Sequence, residues 1–260
     1  MSAIALVTGA RGGIGRELVA RLAAAGHRVA AVGRDAAALA AGLSGLPGPE
    51  PAFIAADTTT PEGAAAAFAA CRERLGAGPS LLAHGVGSTL IAPLHRSPAA
   101  QLREVLRVNL DSALYVLQAW IEDRRAAGAP GDRAGAGAPG AAVLVSSVVA
   151  RIGVANHEAI AAAKGGVEAL VRSAAATYAP LGLRVNAVAP GMTDTPMTAG
   201  LLKIDAMREG AGRQYPLGGV QTAAQVADVM AWLLSDAASR ITGQVIAVDG
   251  GFTTVRPLVK

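Results

Sequence analysis

Apolar runs, each closed by Gly, Pro, Asp or Ser, alternate along the chain with longer segments of helical spacing. The runs Ala3–Val7, Arg28–Val32, Ala52–Ala56, Ser80–Ala83, Ala142–Ser146, Arg184–Val188 and Gln244–Val248 predict seven strands. Their near-continuous Val, Ile, Leu and Ala character suits strands buried on both faces of a parallel sheet. Between them, Gly13–Ala25, Pro61–Leu75, Pro98–Arg125, Asn156–Tyr178 and Ala223–Leu234 are each long enough to be a crossover helix. Regular alternation of strand and helix predicts an α/β fold, a single Rossmann-type doubly wound parallel sheet with helices on both faces. One domain spanning residues 1–260 is expected, with no repeat and no linker. Residues 126–140, almost all Ala, Gly and Pro, offer too little side chain to pack and predict a mobile surface loop. Residues 196–219 form the other long irregular stretch, and their place after the sixth strand predicts a lid over a substrate.

Composition narrows the picture. Apolar residues make up 52% of the chain and aromatic residues 3%, so the interior is expected to be aliphatic, with closely packed helices. A core this large folds without disulfides or metal, and no metal site is expected. The single cysteine, Cys71, lies in an alanine-rich helical stretch and reads as a buried structural thiol in a reducing compartment. The chain begins directly with a buried strand and has no charge-free run of membrane-spanning length, so a cytoplasmic protein is expected, without a membrane partner. The net charge of +4 comes from arginines scattered over helices and loops without interleaved aromatics, which argues against nucleic acid and for an anionic small molecule.

The first strand runs into Thr8-Gly9-Ala10-Arg11-Gly12-Gly13-Ile14-Gly15, which opens a helix. Glycines there permit a tight turn and let backbone N–H groups at the helix start approach a pyrophosphate. The spacing TGxxxGxG resembles the short-chain dehydrogenase/reductase family, and the resemblance runs over essentially the whole chain. Asp57, beside Thr58, matches the family's adenine-contacting aspartate, and Asn109 its active-site asparagine. Ser146-Ser147 resembles the catalytic serine pair, Ser147 being the active one by spacing, and Lys164 matches the catalytic lysine. The segment from Arg184-Val185-Asn186 through Pro190-Gly191, Thr193 and Thr195 is similar to the one that closes on the nicotinamide. Gly243-Gln244 and Val248-Asp249-Gly250-Gly251 look like the family's last strand. The resemblance therefore implies that Gly9, Arg11, Gly13, Ile14, Gly15, Arg34, Asp57, Thr58, Gly85, Gly87, Lys164, Pro190, Gly191, Thr193 and Thr195 hold a nicotinamide cofactor. It implies Asn109, Ser147 and Lys164 as catalytic residues, and a homodimer or homotetramer built through the helices 98–125 and 156–178.

Two positions depart from the family. After the fourth strand, where Asn-Asn-Ala-Gly is usual, the chain reads His84-Gly85-Val86-Gly87, which keeps backbone access to the cofactor and loses the bracing asparagine. His84 is read either as a partial replacement for that brace or as a packed structural histidine. More consequential is Ile160. It stands thirteen residues after Ser147 and four before Lys164, where the family has its proton-donating tyrosine. A hydrocarbon donates no proton. A helix starting near Asn156, with Asn156 as its N-cap, would put His157, Ile160 and Lys164 on one face. The seven-residue separation of His157 from Lys164 also resembles the enoyl-acyl-carrier-protein reductase branch, whose acid tyrosine precedes its lysine by seven. An imidazole can serve as acid or base near neutrality, so His157 is the expected substitute donor. Tyr215 on the lid is the reserve, while Tyr115 and Tyr178 read as helix packing.

Cofactor choice rests on the end of the second strand. Family members that use NAD carry an acid there for the adenosine ribose 2′-OH, whereas this chain has Gly33 followed by Arg34. A guanidinium pairs well with a 2′-phosphate, with Arg11 adding charge, so NADP (NADPH) is expected. The expected function is an NADP-dependent reduction of a carbonyl, or of an activated alkene, or the reverse alcohol oxidation. A non-redox isomerase, dehydratase or cyclase on Ser147, His157 and Lys164 stays open, as does a catalytically inactive nucleotide-binding homologue. Met197, Leu201, Leu202 and Met207 on the lid suggest an apolar small-molecule substrate.

Overall fold

The computed structural model describes residues 2–128 and 139–256. In chain order it contains β1 (Ile4–Thr8), α1 (Gly13–Ala24), β2 (Arg28–Gly33), α2 (Ala36–Leu43), β3 (Ala52–Ala55), α3 (Pro61–Leu75) and β4 (Leu81–His84). There follow α4 (Ala99–Leu106), a π-helical turn (Arg107–Asp111), α5 (Ser112–Ala126), β5 (Gly140–Val145), α6 (Glu158–Tyr178) and β6 (Leu183–Pro190). The last part holds β7 (Thr193–Asp194), α7 (Ala199–Leu202), α8 (Asp205–Gly212), β8 (Gln221–Thr222), α9 (Ala223–Leu234) and β9 (Val245–Val248).

Seven strands form one parallel sheet in the order β3-β2-β1-β4-β5-β6-β9, and β7 pairs with β8 apart from it. The chain reverses its direction of winding between β1 and β4, which opens a crevice at the carboxyl ends of those strands. Side chains alternate across the sheet. On one face Ile4 and Leu6 of β1 pack with Phe68 and Cys71 of α3, Trp120 of α5 and Val167 of α6. On the other, Ala5 and Val7 pack with Leu18 of α1, Leu39 of α2 and Met230 of α9. The aliphatic interior expected from composition is present, and Cys71 is fully buried within it, its thiol pushed up to about 12 by burial.

The expected strands agree with the sheet to within a residue or two at their ends. Four features differ. Helix α2 was not expected; Asp35 caps it, its carboxylate accepting from the Ala38 N–H. The segment 98–125 is helical, interrupted by the π-turn. The region 196–219 contains α7 and α8, with Arg208 of α8 tied to Asp194 of β7 at 2.8 Å. Asn156 is no N-cap: its φ of +64° is left-handed, and α6 begins at Glu158 with His157 in the capping position. Of the loop expected at 126–140, residues 129–138 lie outside the described residues.

Candidate active site

The crevice is floored by glycines that admit no side chain. Gly9 has φ +65°, and a Cβ on it would stand 2.6 Å from the Gly85 carbonyl oxygen. A Cβ on Gly15 would stand 2.3 Å from the Gly9 oxygen, and one on Gly13 would meet Thr195 Cγ2 at 2.9 Å. The turn from Thr8 to Gly15, the β4 loop and the loop after β6 therefore meet at the N-terminus of α1, where a bound anion is favoured. Ile14 packs partly into the core beneath. Arg11 and Arg34 are exposed at this end and take part in no ion pair or side-chain hydrogen bond among the described residues.

Next to it, Asp57 Oδ1 accepts from Thr59 N at 3.1 Å and Thr59 Oγ1 at 2.7 Å. These bonds, the hydroxyl's first, hold the Asp57 carboxyl below its usual range. Thr58 is buried beside it, and Arg107 of the π-turn also reaches Thr59 Oγ1. Arg107 was not singled out from the sequence, although it lies only two positions before Asn109.

The other end of the crevice, where the expected catalytic residues lie, draws on four elements. Asn109, buried in the π-turn, accepts from Ser88 N at 3.2 Å, and its amide donates to Ser88 Oγ at 3.1 Å and Val105 O at 2.9 Å. Lys164 of α6 donates from Nζ to Val145 O at 2.8 Å, and burial lowers its ammonium to about 8. Gly87 lies between the two: a Cβ there would be 3.0 Å from Asn109 Oδ1 and 3.6 Å from Lys164 Nζ. Gly166 lets α6 come this close to the π-turn, since a Cβ would be 2.9 Å from Leu110 Cδ1.

The two serines differ in what they can do. Ser146 is buried and donates to Glu168 Oε1 at 3.0 Å, which is also paired with Arg151 at 3.1 Å. Ser147 is only partly buried. Its Oγ accepts from Val149 N at 3.4 Å, which leaves the hydroxyl proton free for a ligand oxygen. Ile160 fills its place with hydrocarbon, 5% exposed and packed with Val105, Leu90, Leu110 and Val149. His157 stands just outside the helix, so the regular one-face spacing holds for Ile160 and Lys164 alone. Its Nδ1 lies 2.7 Å from Ala155 O. A carbonyl only accepts, so Nδ1 carries the proton and the neutral ring leaves Nε2 bare.

At the far wall, Pro190 ends β6 and Gly191 N donates to Val248 O at 2.9 Å. Thr193 Oγ1 donates to Gly191 O at 2.9 Å and accepts from Gln221 Nε2 at 2.8 Å, while Thr195 bonds Thr198. Tyr215 lies against this loop. Its hydroxyl accepts from Met192 N at 2.6 Å, its ring packs on Phe252, and a Cβ on Gly191 would touch it at 2.7 Å. The phenol buttresses the loop. Tyr115 and Tyr178 pack on the core, as expected. Of the four apolar lid residues, Leu202 is buried, while Met197 and Met207 are exposed.

A family model described as Enoyl-(Acyl carrier protein) reductase matches residues 9–253. The chain is a short-chain dehydrogenase/reductase. It is 38% identical over 259 residues to a cis-4-hydroxycyclohexanecarboxylate dehydrogenase from Sinomonas cyclohexanicum, covering 97% of each chain. It is 34% identical over 251 residues to carbonyl reductase family member 4 of Danio rerio, covering 96% of this chain and 98% of the relative. Among solved structures, a short-chain type dehydrogenase/reductase from Mycobacterium ulcerans superimposes with a TM-score of 0.88 at 29% identity, over 98% of this chain and 92% of that one. A 2-deoxy-D-gluconate 3-dehydrogenase homologue from Agrobacterium tumefaciens with bound NADP gives 0.84 at 28% identity, over 96% of each. Membership establishes an oxidoreductase family whose relatives are named dehydrogenases and reductases of small molecules. No helix among the described residues is long and apolar enough to cross a membrane.

Proposed function

We propose that this short-chain dehydrogenase/reductase is an NADP-dependent enzyme that reduces the carbonyl of an apolar small molecule or oxidises the matching alcohol. The observation that carries the reading is the convergence of Asn109 Oδ1 and Lys164 Nζ on Gly87, 3.0 Å and 3.6 Å from where a Cβ would stand, with the Ser147 hydroxyl proton uncommitted. The residues fit a dinucleotide. The glycine cradle fits a pyrophosphate, the free Asp57 Oδ2 fits an adenine amine, and Arg11 with Arg34 fits a 2′-phosphate. The NADP-bound relative supports the same choice.

In this reading the dihydronicotinamide supplies the hydride. The chain binds, orients and handles the proton. Ser147 donates a hydrogen bond to the carbonyl oxygen, and that bond strengthens as negative charge develops there. Lys164 is buried with one carbonyl partner, so its remaining N–H donors are available for the cofactor ribose. Asn109 and Ser88 fix each other and the adjoining loop. His157 takes the place of the missing phenol: with Nδ1 anchored on Ala155 O, the protonated ring gives its Nε2 proton to the alkoxide in reduction, and the neutral ring receives one at the bare Nε2 in oxidation. One carbonyl, one hydride and one proton yield one alcohol. Ile160 and its neighbours keep the wall of the cleft dry, which suits an apolar substrate.

The test is His157→Phe assayed by NADPH oxidation against a panel of cyclic and acyl carbonyl compounds. Turnover should fall by about 10² to 10⁴-fold, the usual contribution of a positioned acid or base, with NADPH affinity little changed. Unaltered turnover would remove His157 from the mechanism and leave solvent as the proton source.

A further inference from the structure

We propose that His84 is a positioning residue that holds the π-turn carrying Asn109 in register with the glycine turns of the cofactor cradle. The proposal rests on the reading that Asn109 serves the active site. His84 ends β4 and is 3% exposed, with both ring nitrogens engaged. Nδ1 lies 2.8 Å from Thr8 Oγ1 and Nε2 lies 3.0 Å from Ser112 Oγ. The Ser112 hydroxyl has one proton, and it is given to Val108 O at 2.7 Å. Ser112 Oγ must therefore accept from His84, which puts the ring proton on Nε2 and leaves Nδ1 to accept from the Thr8 hydroxyl. The direction of every bond in the chain Thr8–His84–Ser112–Val108 is fixed by this count.

The last bond explains why the turn needs the chain. The Ser112 N–H reaches back five residues to Arg107 O, as π geometry requires, so it is lost to Val108 O, its partner in an ordinary α-helix. Ser112 Oγ supplies the replacement donor. Without it the carbonyl beside Asn109 lacks that donor, and the turn gains by relaxing toward α-helix, rotating Asn109 off Ser88. At the other end, Thr8 directly precedes Gly9, and Gly85 N donates to Thr8 O at 3.2 Å. One neutral ring thus ties both glycine turns to the asparagine. Burial and the nearby Lys164 charge push His84 down to about 3, so the chain keeps one protonation state throughout the working range.

The experiment is NMR on the unmutated protein and on His84→Asn, His84→Gln and Ser112→Ala. An asparagine amide overlays Nδ1 and reaches Thr8 only, whereas a glutamine amide overlays Nε2 and reaches Ser112. In the unmutated protein the His84 ring should show a bare Nδ1 and a protonated Nε2, unchanged from mildly acidic to mildly basic pH. In His84→Asn and Ser112→Ala, exchange of the backbone amide at position 112 should quicken on the order of tenfold, the worth of one hydrogen bond, and the Asn109 side-chain amide resonance should move. His84→Gln should restore both. A protonated Nδ1, an unmoved Asn109 resonance, or equal acceleration at every amide would overturn the proposal. NADPH is titrated into the same unmutated sample. Failure to bind would sink the redox reading while leaving the His84 result to stand or fall by itself.

Discussion

Replacing Lys164 with methionine should change how stability depends on pH, and the size of the change follows from burial. Lys164 is 6% exposed, and desolvation lowers its ammonium from 10.5 to about 8. That difference is worth about 3 kcal/mol. The folded protein favours the neutral amine, whereas the unfolded chain keeps its proton up to about 10.5. Below pH 8 both states are charged and the full cost of burying the charge is present. Between pH 8 and 10.5 the unfolded state binds more protons, so this group raises stability with pH in that window. Methionine has a similar shape and no titration. The stability of Lys164→Met relative to the unmutated protein should therefore fall by about 3 kcal/mol as pH rises from about 8 to about 10.5. Loss of the bond to Val145 O shifts both ends of the comparison and leaves the trend. Urea denaturation of the ligand-free proteins, followed by circular dichroism across this range, gives the difference directly. A stability difference that stays constant with pH would show that Lys164 is not held in a desolvated state and would refute the reasoning.

Three further outcomes are expected. Arg34→Ala should weaken NADPH binding by about 10 to 100-fold and leave NADH nearly unchanged, as loss of a charge-assisted pair to the 2′-phosphate requires; fluorescence titration checks it. Adding Gly33→Asp should turn the preference toward NADH, provided Leu39, 3.3 Å from the new Cβ, gives way. Ile160→Tyr should lower stability by about 1 to 3 kcal/mol, because a ring must enter a space already closed by Leu90, Val105 and Leu110. Thermal denaturation reads it, and an unchanged midpoint would mean the space is open.

The sheet was legible because its strands are buried on both faces, so each announces itself as an apolar run between turn residues. The glycine-lined end of the crevice was legible for a related reason: Gly9 and Gly15 face backbone atoms, and Gly13 the side chains of Thr195 and Pro196, that leave no room for Cβ. Helix α2 escaped because Ala36–Leu43 is apolar nearly all round and shows no period, although Asp35 was present as its cap. The start of α6 was misplaced because Asn tolerates the left-handed region as readily as it caps, and only the φ of +64° decides between the two. The π-turn leaves no mark in hydrophobic spacing over so few residues. Tyr215 was held as the reserve proton donor because nothing local shows its hydroxyl meeting Met192 N, 23 residues away in sequence. His84 was left open between a brace and a packed structural histidine, since its partners Thr8 and Ser112 lie 76 and 28 residues from it.

The most direct test of the account is hydride transfer itself, measured as deuterium delivered from 4-deuterated NADPH to carbonyl compounds of the classes above and detected by mass spectrometry of the alcohol. The account predicts one deuterium on the carbinol carbon, a strongly reduced yield in His157→Phe, and none in Ser147→Ala with Lys164→Met. Tight NADPH binding with no deuterium in any product, or product formed without consumption of NADPH, would contradict it.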